Sequence, residues 1–85
     1  MMREPPVGVL LRAWRERALL TQERLAHLAG LGVRTVRRME SDEPLRPRIE
    51  SLRLLADVLR LDETERAILV GAARGRVYGR VPSGR

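Results

Sequence analysis

Apolar residues recur three and four positions apart along most of the chain up to Ala73, with charged residues between them. This spacing predicts short amphipathic helices that each bury one side. Glycine, proline or a capping residue separates successive runs, so we expect an all-α domain of five helices. Their expected spans are Pro5 or Pro6 to about Leu20, Thr21 to Gly30, Val33 to Glu40, about Ile49 to Leu59, and Asp62 to about Ala73.

The second and third helices form the centre of this pattern. Thr21 is a typical N-cap residue for the second helix. Gly30 and Gly32 mark a tight corner before the third helix, and we expect positive φ angles there because glycine adopts them at little cost. On the third helix Val36 and Met39 face inward.

The apolar periodicity also predicts the core. The expected buried residues of the other helices are Leu10, Leu11, Trp14, Ala18, Leu25, Ala26, Leu28, Ala29, Leu52, Leu55, Ala56, Leu59, Ile68, Leu69 and Ala72. Leu54 and Val58 widen the apolar surface of the fourth helix, so they either pack under the fifth helix or contact another copy. Asp62 and Glu65 have the spacing of a capping box at the start of the fifth helix.

Composition limits the possibilities further. Eighty-five residues form one small domain at most, and the absence of cysteine excludes disulfides and cysteine zinc sites. No apolar run approaches a membrane span, and Arg12 interrupts the apolar start of the chain. We therefore expect a cytoplasmic protein.

The net charge of +6 is distributed unevenly. The last twelve residues carry four arginines and no acid, so this segment supplies most of the excess positive charge. We divide the chain into an N-terminal extension (1–6), a helical domain (7–73), and a basic Gly/Arg-rich flexible tail or linker (74–85). The helical domain is only mildly basic, so its total charge is weak evidence for nucleic-acid binding.

The position of three arginines is more informative than the total charge. Arg34, Arg37 and Arg38 project from the outer side of the third helix, directly after a glycine corner. A guanidinium group presents a planar fork that fits guanine edges and phosphates. A short helix with this outer side suits the major groove of double-stranded DNA.

Several segments, in order, resemble the phage-repressor/Cro-type (XRE) helix-turn-helix family. They are LLRAWRE, LTQERLAHLAG, VRTVRRME, LRPRIESLRLLADVL and ERAILVGAAR, and the resemblance covers about Gly8 to Ala73. It implies a compact five-helix, lambda-repressor-like fold that binds DNA and regulates transcription. The chain looks most like the N-terminal modules of actinobacterial regulators.

The resemblance also implies roles for individual residues. Gln22 corresponds to a glutamine that contacts phosphate, and Thr35 to a residue near the DNA backbone. Arg15 and Glu40 match an internal ion pair between the first and third helices. The residues at base-reading positions are Val33, Arg34, Arg37 and Arg38, and those at phosphate-contacting loop positions are Arg46 and Arg48.

The chain departs from the family pattern at the helix ends. Leu19 and Arg60 stand where many members have glycine, and Gly32 replaces a serine or threonine cap. Asp42 and Glu43 place negative charge in a loop that is often glycine-rich or basic. These acids would repel phosphates if they faced the DNA.

Nothing in the sequence suggests catalysis or a cofactor. There is no phosphate-cradling Gly-Lys loop and no Ser/His/Asp set, and His27 has no companion ligand at metal-binding spacing. We expect no enzymatic activity, no metal and no cofactor. The partners that the sequence suggests are double-stranded DNA (hence association with the nucleoid), a second copy of the chain, and a missing C-terminal domain or protein partner, with no membrane.

Two other interpretations remain open. The domain could be a protein-interaction module on the same fold, such as an antitoxin-like or regulatory partner domain, because Leu54, Val58 and the two loop acids are unusual for DNA contact. Alternatively, the basic tail could drive non-specific association with nucleic acid. DNA binding depends steeply on salt through counterion release, whereas an apolar protein contact does not.

Overall fold

The computed structural model describes residues 5–41 and 47–77, and for 75–77 the backbone alone. Within these ranges the chain forms five helices and no strand, as the periodicity predicted: α1 (Val7–Arg17), α2 (Gln22–Ala29), α3 (Val33–Glu40), α4 (Ile49–Leu59) and α5 (Glu63–Val77). None of the described helices is long and apolar enough to cross a membrane.

The helices enclose one apolar core. α3 packs against α1 and α2, while α4 packs against α2 and α5, and α5 closes the domain against α1. The largest side chains that are almost fully buried are those of Leu11, Leu25, Leu52, Leu55, Leu69 and Val36. Since the core is aliphatic apart from Trp14 and Met39, burial of Leu and Val side chains is the main source of stability.

Most of the predicted core residues are buried, but three predictions were wrong. Ala18 is exposed because α1 ends at Arg17, which leaves Ala18 in the cap. Leu28 and Ile68 are 46% and 39% exposed because they lie at the edges of their buried stripes. The buried apolar side chains that the periodicity did not assign to the core are those of Val7, Leu61 and Ala73. Leu10 is partly buried against the core.

The fifth helix is longer than expected. α5 continues through Val77, so residues 74–77 are helical and the expected tail cannot begin at residue 74. Ala72 and Ala73 are buried near its middle, and a helix gains one hydrogen bond for each residue added beyond such an anchor. The glycines and arginines that follow do not interrupt it. The remainder of the expected tail, 78–85, lies outside the described residues.

Three of the helices end in the same way. After α1, α2 and α4 the chain enters the left-handed region at Leu19 (φ 62°), Gly30 (φ 73°) and Arg60 (φ 56°). In each case the next residue donates its backbone N–H to a carbonyl five residues earlier, as in the 2.9 Å bond from Leu31 to Ala26. This is the Schellman pattern, which satisfies carbonyls at the end of a helix.

Gly8 allows α1 to approach α3 closely. A Cβ atom at this position would lie 2.7 Å from the carbonyl oxygen of Glu40 and 2.8 Å from that of Met39. Both are backbone atoms, which cannot rotate away as a flexible side chain would. The requirement for glycine here therefore comes from packing between helices.

The first turn of α5 is held by the predicted capping box and by an ion pair. The backbone N–H of Glu65 donates to Asp62 Oδ1 at 2.7 Å, and the backbone N–H of Asp62 donates to Glu65 Oε1 at 3.0 Å. Arg17 Nη1 lies 2.8 Å from Glu65 Oε2, which links the end of α1 to the start of α5. The hydrogen bond from Arg17, and then that from the Asp62 backbone, hold the pKa of Glu65 below its ordinary value.

We expect Gly8→Ala to reduce the free energy of unfolding by about 1–2 kcal/mol. The steric cost of overpacking is about 1–3 kcal/mol, and the better helix propensity of alanine offsets part of it. Urea unfolding monitored by circular dichroism measures the change. Gly32→Ser is the matched control, because the nearest atom to its Cβ, Thr35 Oγ1, is 4.0 Å away. Equal stability of the two variants would contradict the packing argument.

Replacing Glu65 by glutamine should make stability less dependent on pH in the acid range. Because the folded-state pKa of Glu65 is lowered, its contribution is complete above the ordinary value of about 4.3 and is lost as the pH falls through the folded-state pKa. Glu65→Gln should therefore lower Tm at neutral pH, and its deficit relative to the wild type should shrink below about pH 4.

Melting curves between neutral pH and pH 3 test this expectation. Glu63→Gln changes the same charge in the same helical turn, at a side chain that makes no hydrogen bond or ion pair within the described residues. A constant deficit for Glu65→Gln across this pH range would show that the carboxylate does not stabilise the fold through its charge.

Candidate nucleic-acid interface

The corner between α2 and α3 is fixed at both ends of α2. The Thr21 hydroxyl oxygen accepts a 3.0 Å hydrogen bond from the backbone N–H of Arg24, as expected for an N-cap. Gly30 takes the positive φ angle predicted for it. Gly32 does not: its φ is −73° and it occupies the extended N-cap position of α3. One left-handed residue therefore makes the turn, because the Schellman bonds already reverse the chain at Gly30.

α3 has an apolar inner side and a cationic outer side. Val36 and Met39 are buried in the core as predicted. Arg34, Arg37 and Arg38 are exposed on the opposite side. The buried residues fix the rotation of the helix about its axis, so they also fix the direction in which the arginines project.

A polar network holds the last residue of α3. Glu40, whose side chain is only 4% exposed, lies in a bidentate ion pair with Arg15 of α1. The distances from Arg15 Nε to Glu40 Oε2 and from Arg15 Nη2 to Glu40 Oε1 are 2.6 and 3.0 Å. Arg15 Nη1 also donates to the carbonyl oxygen of Leu20 at 2.9 Å. The sequence resemblance implied this pair, and the structure adds its link to the turn between α1 and α2.

Gln22 joins the same network from the first turn of α2. Its Nε2 donates to Glu40 Oε1 at 3.0 Å. The family resemblance implied a phosphate contact for Gln22, and its amide retains a second N–H and a carbonyl oxygen that the bond to Glu40 does not use. The Glu40 carboxylate therefore connects α1, α2 and α3 at one point.

Arg15 is the permanently charged member of this network. The hydrogen bonds from Arg15 to Glu40 raise the pKa of Arg15 above its already high ordinary value. An arginine does not lose its proton at any pH at which proteins are stable. Arg15 therefore supplies a lasting positive charge beside the Glu40 carboxylate.

Three of the predicted DNA-contacting residues line one open groove. Thr35 and Arg38 form one wall on α3, and Arg48 lies opposite them at the N-cap of α4. The groove has a volume of about 370 Å³. Two arginines, a hydroxyl group and the nearby start of a helix provide groups that attract and hydrogen-bond an anion such as a phosphate.

Two of the predicted base-reading residues, Arg34 and Val33, differ in their exposure. Arg34 is exposed, and its side chain makes no hydrogen bond or ion pair within the described residues. Val33 is only partly exposed and packs against the core, so little of its side chain is available to a base. Arg46, Asp42 and Glu43 lie outside the described residues.

Sequence reasoning missed the side-chain partner of Arg37. Glu23, in the first turn of α2, accepts a 3.1 Å hydrogen bond from Arg37 Nη2 at Oε2. The two residues are on different helices, so neither periodicity nor local charge spacing predicts the contact. Gly8 was also missed, since its importance depends on the approach of α3 and not on its own helix.

The described residues include no group of side chains that could hold a metal ion. The side chains on this surface offer positive charge and hydrogen-bond donors. Its components are the arginines of α3, the groove beside α3, and the network that fixes α3.

Comparison with known proteins agrees with this geometry. A family model described as helix-turn-helix matches residues 11–66, which include most of α1, all of α2 to α4, and the start of α5. No curated protein matches the chain.

Removal of the Glu40 carboxylate should strongly destabilise the domain. Glu40→Leu leaves the mostly buried Arg15 without a counterion, and we expect a loss of about 2–4 kcal/mol in the free energy of unfolding. The double variant Arg15→Met/Glu40→Leu should recover part of this loss, because two apolar side chains leave no uncompensated charge. Urea unfolding of the two variants and the wild type measures both effects. A double variant less stable than Glu40→Leu would contradict this explanation.

Proposed function

The chain belongs to the XRE-type helix-turn-helix family of DNA-binding proteins, and from this premise we propose that it is a sequence-specific transcriptional regulator. In this proposal α3 enters the major groove of double-stranded DNA. The observation that carries it is the cationic outer side of α3, which the buried residues and Glu40 hold in a fixed orientation.

The arginines of α3 have separate roles in this proposal. Arg34 and Arg37 read guanine edges, where O6 and N7 provide two acceptors for one guanidinium group. Arg38 lines the groove beside α3 together with Thr35 and Arg48. That groove receives a backbone phosphate, which sets the register of α3 without reading sequence.

Gln22 and Arg46 complete the proposed phosphate contacts. The amide of Gln22 is oriented by Glu40, and its second N–H is the group proposed to reach phosphate. Arg46 is proposed to contact phosphate, the role that the family resemblance implies for it. A two-fold dimer of such domains would read half-sites about 34–36 Å apart, one turn of DNA.

Selection from a random pool of double-stranded DNA at near-physiological salt tests the proposal. Enrichment of a guanine-containing motif supports sequence-specific binding, and a repeat of that motif at the helical period supports a dimer. Failure to enrich any motif would contradict it.

A protein-interaction function is the second candidate. The specific observation in its favour is that several large apolar side chains are exposed outside α3, with Ile49 at 53%, Leu28 at 46% and Leu54 at 41%. Binding to a protein through such side chains changes little with ionic strength, whereas the affinity for DNA falls steeply as salt rises.

We expect Arg37→Ala and Arg48→Ala to affect DNA binding differently. Arg37→Ala should cost about 1–3 kcal/mol on the selected sequence and relax the preference at one base pair. Arg48→Ala should weaken binding to all sequences alike and reduce the slope of log K against log salt by about one unit. Fluorescence anisotropy on selected and scrambled duplexes at several salt concentrations measures both effects.

Arg53→Ala is the matched control for charge. Arg53 is an exposed arginine that lies in a separate groove between α4 and α5. Its removal should change affinity less than either of the other substitutions. If all three variants lost affinity equally on every sequence, the proposed division between base reading and phosphate contact would be wrong.

A further inference from the structure

The ion pair between Glu23 and Arg37 joins the first turn of α2 to the outer side of α3. Glu23 Oε2 lies 3.1 Å from Arg37 Nη2, and the two side chains remain 66% and 56% exposed. Arg34, three residues before Arg37 on the same helix, has no such partner within the described residues. The two exposed arginines therefore differ in their electrostatic surroundings.

This pair adds little to the stability of the fold. An exposed ion pair gains modest Coulomb energy in water and orders two long side chains, so its net contribution is small. The corner between α2 and α3 is already held by buried Leu25 and Val36 and by the hydrogen bond from Gln22 to Glu40. The principal effect of Glu23 therefore falls on Arg37 itself, through its charge and its side-chain conformation.

We infer that Glu23 is a specificity-determining residue that weakens the attraction of Arg37 for phosphate and preserves its ability to recognise guanine. This inference rests on the proposed DNA-binding function and deepens it. Nothing in the sequence pattern or in the family match assigns Glu23 a role in recognition.

The argument depends on the difference between phosphate and a guanine edge as partners. Phosphate attracts any nearby cation regardless of sequence, and this attraction scales with charge. With a carboxylate at hydrogen-bond distance, the pair Glu23–Arg37 has almost no net charge, so its attraction to the DNA backbone is reduced. A guanine edge offers two aligned, uncharged acceptors. Binding of Arg37 to guanine therefore depends on the alignment of two hydrogen bonds, and less than phosphate binding does on the net charge around Arg37.

The contact with Glu23 also leaves donors available. One N–H of Arg37 Nη2 points to the carboxylate, while a guanidinium group carries five N–H donors in total. Arg37 can therefore bind guanine while it remains beside Glu23. Glu23 thus disfavours non-specific complexes more than specific ones, and discrimination increases because specificity is a ratio of affinities.

A double-mutant cycle tests this inference in the full chain. The variants are Glu23→Gln, Arg37→Gln and the double variant, measured by fluorescence anisotropy on the duplex enriched by selection and on a scrambled duplex. Glutamine keeps the shape of Glu23 and removes its charge. Glu23→Gln should tighten binding to the scrambled duplex by about twofold to fivefold, the range typical of exposed ion pairs.

The same substitution should tighten binding to the selected duplex by a smaller factor, so the ratio of the two affinities should fall. This fall should disappear when Arg37 is already glutamine. Arg34→Gln is the matched control. When Glu23→Gln is added to this variant, the affinity ratio should fall as much as it does in the wild type, because Arg34 does not contact Glu23. Thermal unfolding of each variant checks that the fold is retained.

Two results would overturn the inference while leaving DNA recognition intact. The first is an unchanged affinity ratio in Glu23→Gln. The second is a change of equal size with arginine and with glutamine at position 37, which would mean that Glu23 acts on DNA directly. If the wild type itself bound both duplexes equally, the proposed function and this inference would both fall.

Discussion

The hydrogen bonding of the Glu40 carboxylate is the interaction on which the geometry of this domain depends. The carboxylate is nearly buried at the end of α3 and receives hydrogen bonds from Arg15 on α1 and Gln22 on α2. A buried ion pair is weak evidence of net stabilisation, because desolvation offsets the Coulomb attraction, but it tolerates few geometries. Gly8 adds a steric constraint at the same place, since α1 reaches the backbone of Glu40 there. The position of α3 is thus set from its C-terminal end.

Much of the fold follows from local patterns in the sequence. The bounds of α2, α3 and α4 agree with those expected, because capping residues and apolar spacing act over a few residues. The capping box at Asp62 and the left-handed turn at Gly30 are equally local. The extent of α5 and the exposure of Ile68 were not predicted, since both depend on which side of the helix meets its neighbours.

The candidate site likewise combines features that local sequence patterns predict with contacts between helices that they do not predict. The outward direction of Arg34 and Arg37 follows from the buried positions of α3, Val36 and Met39, so sequence periodicity is sufficient to predict it. The groove beside Arg38, the contact of Gln22 with Glu40 and the contact of Glu23 with Arg37 join residues from different helices. No spacing rule within one helix contains that information. The family resemblance implied which residues contact DNA, but not how those residues are connected to one another.

The three left-handed helix ends have a consequence for how this domain tolerates change. Only Gly30 suits its conformation, whereas Leu19 and Arg60 adopt positive φ angles that cost an L-amino acid about 1 kcal/mol or more relative to glycine. Leu19 is also 91% exposed, so its side chain gains almost nothing from burial. The domain is therefore below its stability optimum at two positions outside α3. Destabilising substitutions on the outer side of α3 can be compensated at these two positions without altering that surface.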